Sequence, residues 1–358
     1  MKIIAQPIVT RCVLLLLSSL ALTSQACADA VTDFYKGRTI TLIVGYGPGG
    51  GYDLFARLMA RHLGRHIPGN PTVVVQNMPG AGSLRATNFL YTVAPRDGAT
   101  IGSFARDMPL LAILKTNAAA VFDPRKFTWL GSSSDFSRDA YLLMVRKDAP
   151  ATSIEDARQP GGPAIVVGGT AEGTSGNDIP LVLRDALGIN IKLVTGYPDN
   201  GAIFLAVDRG EVNGRAADLS TMRSLKPEWL LPNGGMRALV QFARATRHPE
   251  FADVPTAREL VRDENARALI EVSELSYRMS RPFAAPPGVP AERAAALRQA
   301  FDAVHKDRQY LEDAAKLRLE VSPIGGQEVL QEIDRIAAAP PTILDRLKRL
   351  IMGGKGGG

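Results

Sequence analysis

Short β-rich runs alternate with helical patterns along the chain, and this alternation limits its fold more than any other feature. Three strands are predicted in the first half, at residues 39–45, 72–76 and 100–104. Three more are predicted in the second half, at residues 164–167, 191–195 and 211–215. Alternating β and α units are typical of open α/β sheets. Because 358 residues suffice for two domains of ordinary size, we expect an α/β protein with two lobes.

Two similar segments, residues 141–150 and 277–288, are candidates for the links between the lobes. Each is an apolar run that contains an Ala-Pro pair and precedes a predicted helix. Two strands that cross between lobes would form a hinge. The predicted organisation is a signal segment (1–28), a discontinuous first lobe (29–140 and 236–350), a second lobe (141–235) and a flexible tail (351–358).

The N-terminus has the pattern of a secretory signal peptide. Lys2 and Arg11 precede an apolar stretch at residues 12–22, and a small-residue triplet follows at 26–28. The stretch is too short for a permanent membrane anchor. We therefore predict export to the periplasm with cleavage after Ala28, the alternative being an uncleaved amphipathic start.

Cleavage after Ala28 would remove both cysteines of the chain, Cys12 and Cys27. The mature protein would then have no disulfide and no thiol to serve as metal ligand or nucleophile. An alternative makes Cys27 a lipid anchor, although the apolar residue that usually lies three positions before such a cysteine is missing. Loss of Lys2 and Arg11 would lower the formal net charge of +6 by two, to +4.

Several function classes lack the residues they need. No dense Lys/Arg block accompanies the positive charge, so we predict no nucleic-acid binding. His62 and His66 are four residues apart, but no glutamate follows His62 as in a zinc-binding helix, so we predict no metal site and no cofactor. None of the four histidines lies in a glycine-rich loop, which disfavours a secreted hydrolase with a Ser-His pair. We predict that the protein is not an enzyme.

The first glycine-rich loop, residues 45–53, follows a predicted strand and opens a predicted helix. Ligands of open α/β sheets bind beyond the carboxyl ends of strands, and free N–H groups at a helix start attract anions. Asp53 falls in the first helical turn, where it can accept backbone N–H bonds. The loop also matches the dinucleotide fingerprint, but the acidic residue expected about 20 positions on is missing. We predict an anion site here, with a purely structural turn as the alternative.

Two further loops have the same character. Residues 77–83 again lie between a predicted strand and a predicted helix. Residues 168–177 place Thr174 and Ser175 among glycines ahead of a helix, so hydroxyls and backbone N–H groups can face one ligand. Ser175 does not fit the Gly-x-Ser-x-Gly pattern of a nucleophile. One anion-binding loop in each lobe indicates a clamp around a small organic anion.

Five segments together resemble the Bug-type receptors, the extracytoplasmic solute receptors of tripartite tricarboxylate transporters. The segments are 47–57 (GPGGGYDLFAR), 73–82 (VVVQNMPGAG), 94–101 (APRDGATI), 251–256 (FADVPT) and 283–290 (FAAPPGVP). The resemblance implies a type II periplasmic-binding-protein fold, with a ligand cleft between two α/β lobes joined by two crossing strands. It also implies a carboxylate ligand, permease subunits as membrane partners and, we expect, a monomer.

Carried over from the family, the two sites fall on the loops already identified. The first-lobe site comprises Tyr46, Gly47, Gly49, Gly50 and Asp53, and the second-lobe site comprises Gly173, Thr174, Ser175 and Gly176. Tyr197 resembles a turn tyrosine of the family and is predicted to wall the cleft.

Departures from the family pattern add two candidates. Arg106 and Arg215 lie at predicted strand ends, where either could hold a carboxylate with two hydrogen bonds. The alternative is a salt bridge to the nearby Asp107 or Asp218. Two roles stay open at this point: delivery of a carboxylate to a permease, and periplasmic sensing by docking on a signalling receptor.

Overall fold

The computed structural model describes residues 30–353. The signal segment, Cys12, Cys27 and residues 354–358 lie outside the described residues. Export, cleavage after Ala28 and lipid anchoring therefore stay predictions.

The described residues alternate strands and helices as the sequence predicts. The strands are β1 (Thr39–Val44), β2 (Thr72–Asn77), β3 (Thr100–Ser103), β4 (Thr128–Ser132), β5 (Tyr141–Arg146), β6 (Ile165–Gly168), β7 (Ile191–Val194), β8 (Gly214–Asp218), β9 (Met236–Phe242), β10 (Pro282–Ala285) and β11 (Ile324–Gly325). The helices are α1 (30–35), α2 (Gly51–Leu63), α3 (Leu84–Thr92), α4 (Met108–Leu114), α5 (Ile154–Ala157), α6 (Ser175–Leu187), α7 (Asn200–Asp208), α8 (Leu219–Leu225), α9 (Ala257–Leu260), α10 (Glu264–Glu274), α11 (Ala291–Val304), α12 (Arg308–Lys316), α13 (Gly326–Ala337) and α14 (Pro341–Gly353).

The strands form two mixed sheets, one in each lobe. The first sheet has the order β11-β4-β10-β3-β1-β2, in which β1 runs parallel to β2 and β3 and β10 runs antiparallel to its neighbours. The second has the order β7-β6-β8-β5-β9, in which β6 runs parallel to β7 and β8 and β5 runs antiparallel to its neighbours. The predicted two-lobed α/β architecture is confirmed.

Strand β9 lies in the second sheet, which corrects the predicted return of the chain to the first lobe at residue 236. β9 pairs antiparallel with β5, and Phe242 lies opposite Tyr141. This long-range pairing leaves no mark on the local apolar pattern, so the sequence could not assign the strand to a sheet. Strand β8 also starts later than predicted, at Gly214, because Asn213 still lies in the preceding turn and donates its backbone N–H to the Val166 carbonyl at 2.7 Å.

The chain passes from the first sheet to the second between β4 and β5 and returns between β9 and β10. The two passages are hydrogen-bonded through their backbones. Ser133 donates to the Arg281 carbonyl at 3.0 Å, and Phe136 donates to the Tyr277 carbonyl at 2.9 Å. We call residues 133–140 and 277–281 the hinge. The predicted link at 277–288 overlaps it, whereas the predicted link at 141–150 begins just after it, inside the second sheet.

One cluster of buried apolar side chains extends through both lobes. It joins Phe104 and Trp129 of the first lobe to Leu143 and Val167 of the second. Ile351 belongs to the same cluster and is 3% exposed. This corrects the predicted flexible tail, since residues 351–353 form the end of α14.

Candidate ligand-binding site

A cavity of about 600 Å³, including its open mouth, lies between the two lobes at the carboxyl ends of the parallel strands. Eight of the twelve predicted site residues line it: Tyr46, Gly47, Gly50, Arg106, Thr174, Ser175, Gly176 and Arg215. The sequence therefore located eight of the 17 residues of the cavity wall, and these come from both lobes.

Three helices begin at the cavity. Gly50 and Gly51 open α2, Ser175 and Gly176 open α6, and Asn200 opens α7. The first N–H groups of a helix have no partner within it, and the helix dipole adds partial positive charge there. Both effects favour an anion, and they act from the first lobe through α2 and from the second lobe through α6 and α7.

Asp53 stabilises the first loop from the side away from the cavity and does not line it. Its carboxylate accepts hydrogen bonds from Gly49 N, Arg57 Nε and Asn77 Nδ2, each at 2.8 Å. Burial opposes ionisation, but these three bonds outweigh it and lower the pKa of Asp53. Gly49 has φ of +88°, a left-handed conformation that favours glycine. Asp53 is therefore a positioning residue, which corrects its predicted contact with ligand.

Three other predicted site residues also lie outside the cavity wall. Gly49 lines a neighbouring surface pocket together with Pro48. A side chain at Gly173 would meet Leu111 of the first lobe, so this residue marks a close approach between lobes. Tyr197 packs against the core of the second lobe near Gly168. The next two residues, Thr174 and Ser175, do line the cavity.

Arg106 lies at the floor of the cavity and is 3% exposed. Its Nη1 donates to Ser175 Oγ of the second lobe at 2.7 Å, and its Nε donates to the Ser280 carbonyl of the hinge at 3.3 Å. The guanidinium carbon lies 4.8 Å from the Phe136 ring centroid and 5.1 Å from that of Tyr277. Cation–π contacts of this kind stabilise a desolvated guanidinium. Arg106 thus joins both lobes and the hinge, and it does not form the salt bridge considered as the alternative.

Asp107 reaches across the cleft to the start of α6. Its Oδ2 accepts hydrogen bonds from Ser175 N at 3.0 Å and from Ser175 Oγ at 2.6 Å. Burial raises the pKa of Asp107, while the charge of Arg106 and the two bonds from Ser175 oppose the rise. A carboxylate of the first lobe therefore caps a helix of the second lobe.

Arg215 on β8 is a cavity cation with an unused donor. It is 2% exposed, its Nε donates to the carbonyl of Ala216 at 3.1 Å, its guanidinium also hydrogen-bonds the Tyr141 side chain, and its Nη1 has no hydrogen-bond partner. Burial lowers the pKa of Arg215, but a guanidinium remains protonated in proteins. The predicted alternative, a salt bridge to Asp218, is not formed. A buried cation with an unused donor is costly, so this geometry favours an incoming acceptor.

Asp218 pairs with Arg281 instead, a residue that the sequence analysis missed. Arg281 is 1% exposed, and its Nη2 lies 3.0 Å from Asp218 Oδ1 and 3.3 Å from Thr221 Oγ1. Burial opposes ionisation of Asp218, but Arg281 and Arg106 hold its pKa below the ordinary range. The one signal in the sequence was an arginine directly before an apolar strand, within the predicted link at 277–288.

Aromatic rings form part of the wall. Tyr46 stacks on Tyr52 with ring centroids 4.8 Å apart and planes inclined by 20°. The Tyr52 hydroxyl accepts a hydrogen bond from Arg106 N at 3.0 Å. Tyr141 lines the cavity from the second lobe. Tyr52 and Tyr141 were not predicted as site residues, although Tyr52 lies within the first glycine-rich loop.

Within residues 30–353 no cluster of three or more His, Cys, Asp or Glu side chains is suited to hold a metal ion. His62 contacts Asp313 at 3.2 Å and His66 contacts Asp307 at 2.7 Å, so the two histidines have separate partners. In the same range, none of the helices combines the length and the apolar character needed to cross a membrane.

Comparison with known proteins gives several distant relatives. No protein-family model matches the chain. The chain is 25% identical over 328 residues to a UPF0065 protein of Cupriavidus necator, which covers 89% of this chain and 90% of that protein. It is 28% identical over 244 residues to BugT of Bordetella pertussis, which covers 66% and 70%. The chain is therefore similar in sequence to UPF0065 and Bug proteins over most of its length.

Several solved structures have the same fold as this chain. BugD, a periplasmic binding protein, superposes with a TM-score of 0.66 at 18% identity and covers 88% of this chain and 98% of its own. MatC from Rhodopseudomonas palustris with bound malate gives 0.63 at 21%, covering 86% and 99%. An R. palustris protein with adipate gives 0.66 at 22%, covering 87% and 97%. The chain therefore shares the two-lobed fold of these binding proteins.

Proposed function

We propose that this protein captures a small organic carboxylate in the cavity between its lobes and delivers it to the permease subunits of a tripartite transporter. The observation that carries the proposal is Arg215, whose buried Nη1 has no partner in a cavity where three helices begin. A carboxylate would supply the missing acceptor and would face the start of α2, which has no side-chain cap.

Each lobe contributes to the site, so capture can be linked to closure of the cleft. Gly50 and Arg106 belong to the first lobe, and Ser175 and Arg215 belong to the second. A ligand that contacts both lobes stabilises the closed arrangement by its differential affinity for it. Malate and adipate occupy two proteins of the same fold, which supports a carboxylate as the solute. Export to the periplasm and a monomeric state are part of the same proposal.

Binding is tested with the mature chain starting at Asp29, unfolded and refolded to remove any carried ligand. We expect at least one carboxylate in a panel of mono- and dicarboxylates to raise the melting temperature and to bind in calorimetry. If no carboxylate binds, or if an ester or phosphate is turned over instead, the proposal is wrong.

The role of Arg215 is tested by replacing it with glutamine. We expect Arg215→Gln to weaken carboxylate binding by more than about tenfold, because the ligand loses its charged partner. Arg184→Gln, on the exposed side of α6, is the matched control and should bind as the wild type does. Equal affinity of Arg215→Gln and wild type in calorimetry would rule out this role.

Delivery is tested in cells that lack the gene for this chain. We expect uptake of the labelled carboxylate to be restored by the wild-type gene and not by the Arg215→Gln variant. Uptake that needs no copy of this chain would contradict the delivery role and favour sensing.

A further inference from the structure

Asp107 already occupies one anion position of the cleft. Its carboxylate accepts both the backbone N–H and the hydroxyl of Ser175, the first residue of α6. This is the place where the second lobe would otherwise offer a helix N-terminus and a hydroxyl to a ligand carboxylate. Asp107 is buried and belongs to the first lobe, so a carboxylate of the protein itself occupies this anion position.

One arginine of the cavity has no carboxylate partner. Three arginines line the cavity, and so do three aspartates, of which Asp107 and Asp218 are buried and Asp199 is half-buried. Arg281 pairs with Asp218, Arg106 shares Ser175 with Asp107, and Asp199 caps α7. The third arginine, Arg215, keeps an unpartnered Nη1. A single ligand carboxylate would therefore give Arg215 its partner.

We infer that the cleft selects ligands with one carboxylate, because Asp107 fills the second anion position and Arg215 is the remaining cation for a ligand. The inference rests on the proposed function and specifies its substrate class. It separates this chain from the two solved proteins that hold malate and adipate, both dicarboxylates.

The remaining cavity wall suits an uncharged group. Tyr46, Tyr52 and Tyr141 present rings, and Thr170 and Asn200 present neutral polar groups. Asp199 lines the mouth, and its Oδ1 caps α7 at the N–H of Ala202, 2.9 Å away. A second ligand carboxylate would meet this negative charge with no free cation beside it, and burial of an unpaired charge is costly. The far end of the ligand is therefore neutral, either polar or aromatic.

The inference is tested with hexanoate and adipate, which share a six-carbon chain and differ in one carboxylate. At pH 8, where both ligand acids are ionised, we expect hexanoate to bind at least about tenfold more tightly than adipate. Tighter binding of adipate would overturn the inference and leave the proposed function intact. Binding of neither compound nor of any other carboxylate would overturn the proposed function itself.

A variant tests the part played by Asp107. Asp107→Asn removes the charge and keeps the size of the side chain, so we expect adipate to gain at least about fivefold relative to hexanoate. Asp185→Asn, at the far end of α6 and paired with Arg346 at 2.8 Å, is the control and should leave the ratio unchanged. An unchanged ratio in a folded Asp107→Asn protein, with folding checked by circular dichroism, would overturn the role of Asp107. The wild-type comparison stands whether or not this variant folds.

Discussion

At the residue scale, Asp53 shows how a side chain outside the cavity can shape it. Its carboxylate is 2% exposed and bonded to Gly49, Arg57 and Asn77. Asn77 also donates to the Tyr46 carbonyl at 2.9 Å, so the first loop is fixed on two sides. The loop N–H groups depend on this support for their direction.

We expect Asp53→Asn to lower the free energy of unfolding by about 2 kcal/mol, because the bonds from Arg57 and Gly49 lose their charged acceptor. Carboxylate affinity should fall as well. Urea unfolding and calorimetry measure the two effects. Glu312→Gln, which breaks an exposed pair with Arg308 on α12, is the control and should change neither. Full affinity in Asp53→Asn would show that the loop holds its shape without the carboxylate.

His305 is a buried histidine held neutral beside the hinge. Its Nε2 lies 3.0 Å from Ser133 Oγ, its Nδ1 lies 2.8 Å from the Phe301 carbonyl, and Tyr310 packs against its ring. Burial lowers the pKa of His305 to about 4. In the unfolded chain the ordinary pKa is about 6.5, so the unfolded state binds the proton first as the pH falls.

Stability should therefore be lost as the pH falls from 6.5 towards 4. We expect His305 to cost roughly 2 kcal/mol of unfolding free energy between pH 7 and pH 4.5. His305→Gln cannot take up this proton, so its stability should fall less over the same interval. Urea titrations of both proteins at the two pH values give the difference. Equal losses would show that His305 is not desolvated in the folded state.

Site residues could be predicted from the sequence where the residue type and its place relative to a predicted strand were sufficient to identify them. Arg106 and Arg215 were chosen because they lie at predicted strand ends, and both line the cavity. The pairing of Arg281 with Asp218 escaped prediction because it joins distant parts of the chain. The sequence shows which residues are charged, but pairing across two lobes is decided by tertiary packing.

At the element scale, the start of α2 brings the lobes together. A Cβ at Gly51 would lie 2.5 Å from Thr221 Oγ1 of α8 and 2.7 Å from Arg281 Nη2. Glycine is therefore required here by a close approach between elements of different lobes. At Gly50, one residue earlier, a Cβ would meet no heavy atom within 4 Å.

We expect Gly51→Ala to force the cleft open, because the added methyl group cannot fit beside Thr221 and Arg281. Small-angle X-ray scattering of the ligand-free protein should then give a larger radius of gyration than for wild type. Gly50→Ala is the matched control and should scatter as wild type does. Identical scattering from all three proteins would show that the contact yields without moving the lobes.

Elements were predictable from the sequence where local periodicity sets them. β1, β2 and β3 begin at residues 39, 72 and 100, as predicted. β8 was misplaced because Glu211 and Asn213 imitate an alternating strand, while Asn213 forms a turn and accepts the N–H of Val166 at 2.8 Å. A side chain that bonds to a neighbouring strand makes a tertiary contact, and the pattern of apolar residues in the sequence does not reveal such a contact.

At the scale of the whole molecule, the shared core indicates one cooperative unit. The chain has two tryptophans, Trp129 on β4 of the first lobe and Trp229 in the second lobe. Trp129 belongs to the cluster that spans both lobes, and Trp229 belongs to a separate cluster of the second lobe. Each tryptophan therefore reports on one lobe.

We expect both lobes to unfold in one transition, because the spanning cluster couples them. In Trp129→Phe and Trp229→Phe, the fluorescence midpoint of the remaining tryptophan should coincide with the far-UV circular dichroism midpoint of the same variant. Fluorescence and circular dichroism are compared within the same variant, so a loss of stability caused by the substitution shifts both midpoints together. Separate midpoints would show that the lobes unfold independently.

The two-lobed organisation followed from the repeated β and α pattern, but the course of the chain between the lobes did not. β9 and the helices after it are apolar segments that could have joined either lobe. Their place is set by the pairing of β9 with β5 and by the packing of α10 against α6. Choices of this kind depend on the assembled core rather than on any stretch of sequence.

The floor of the cavity and the hinge are made of the same side chains. Phe136 and Tyr277, one from each hinge segment, pack on the guanidinium of Arg106, and Phe136 also packs on Arg281. In the proposed receptor, the residues that hold the solute and the residues that link the lobes are therefore the same. A substitution of Phe136 or Tyr277 is expected to change both the choice of solute and the opening of the cleft.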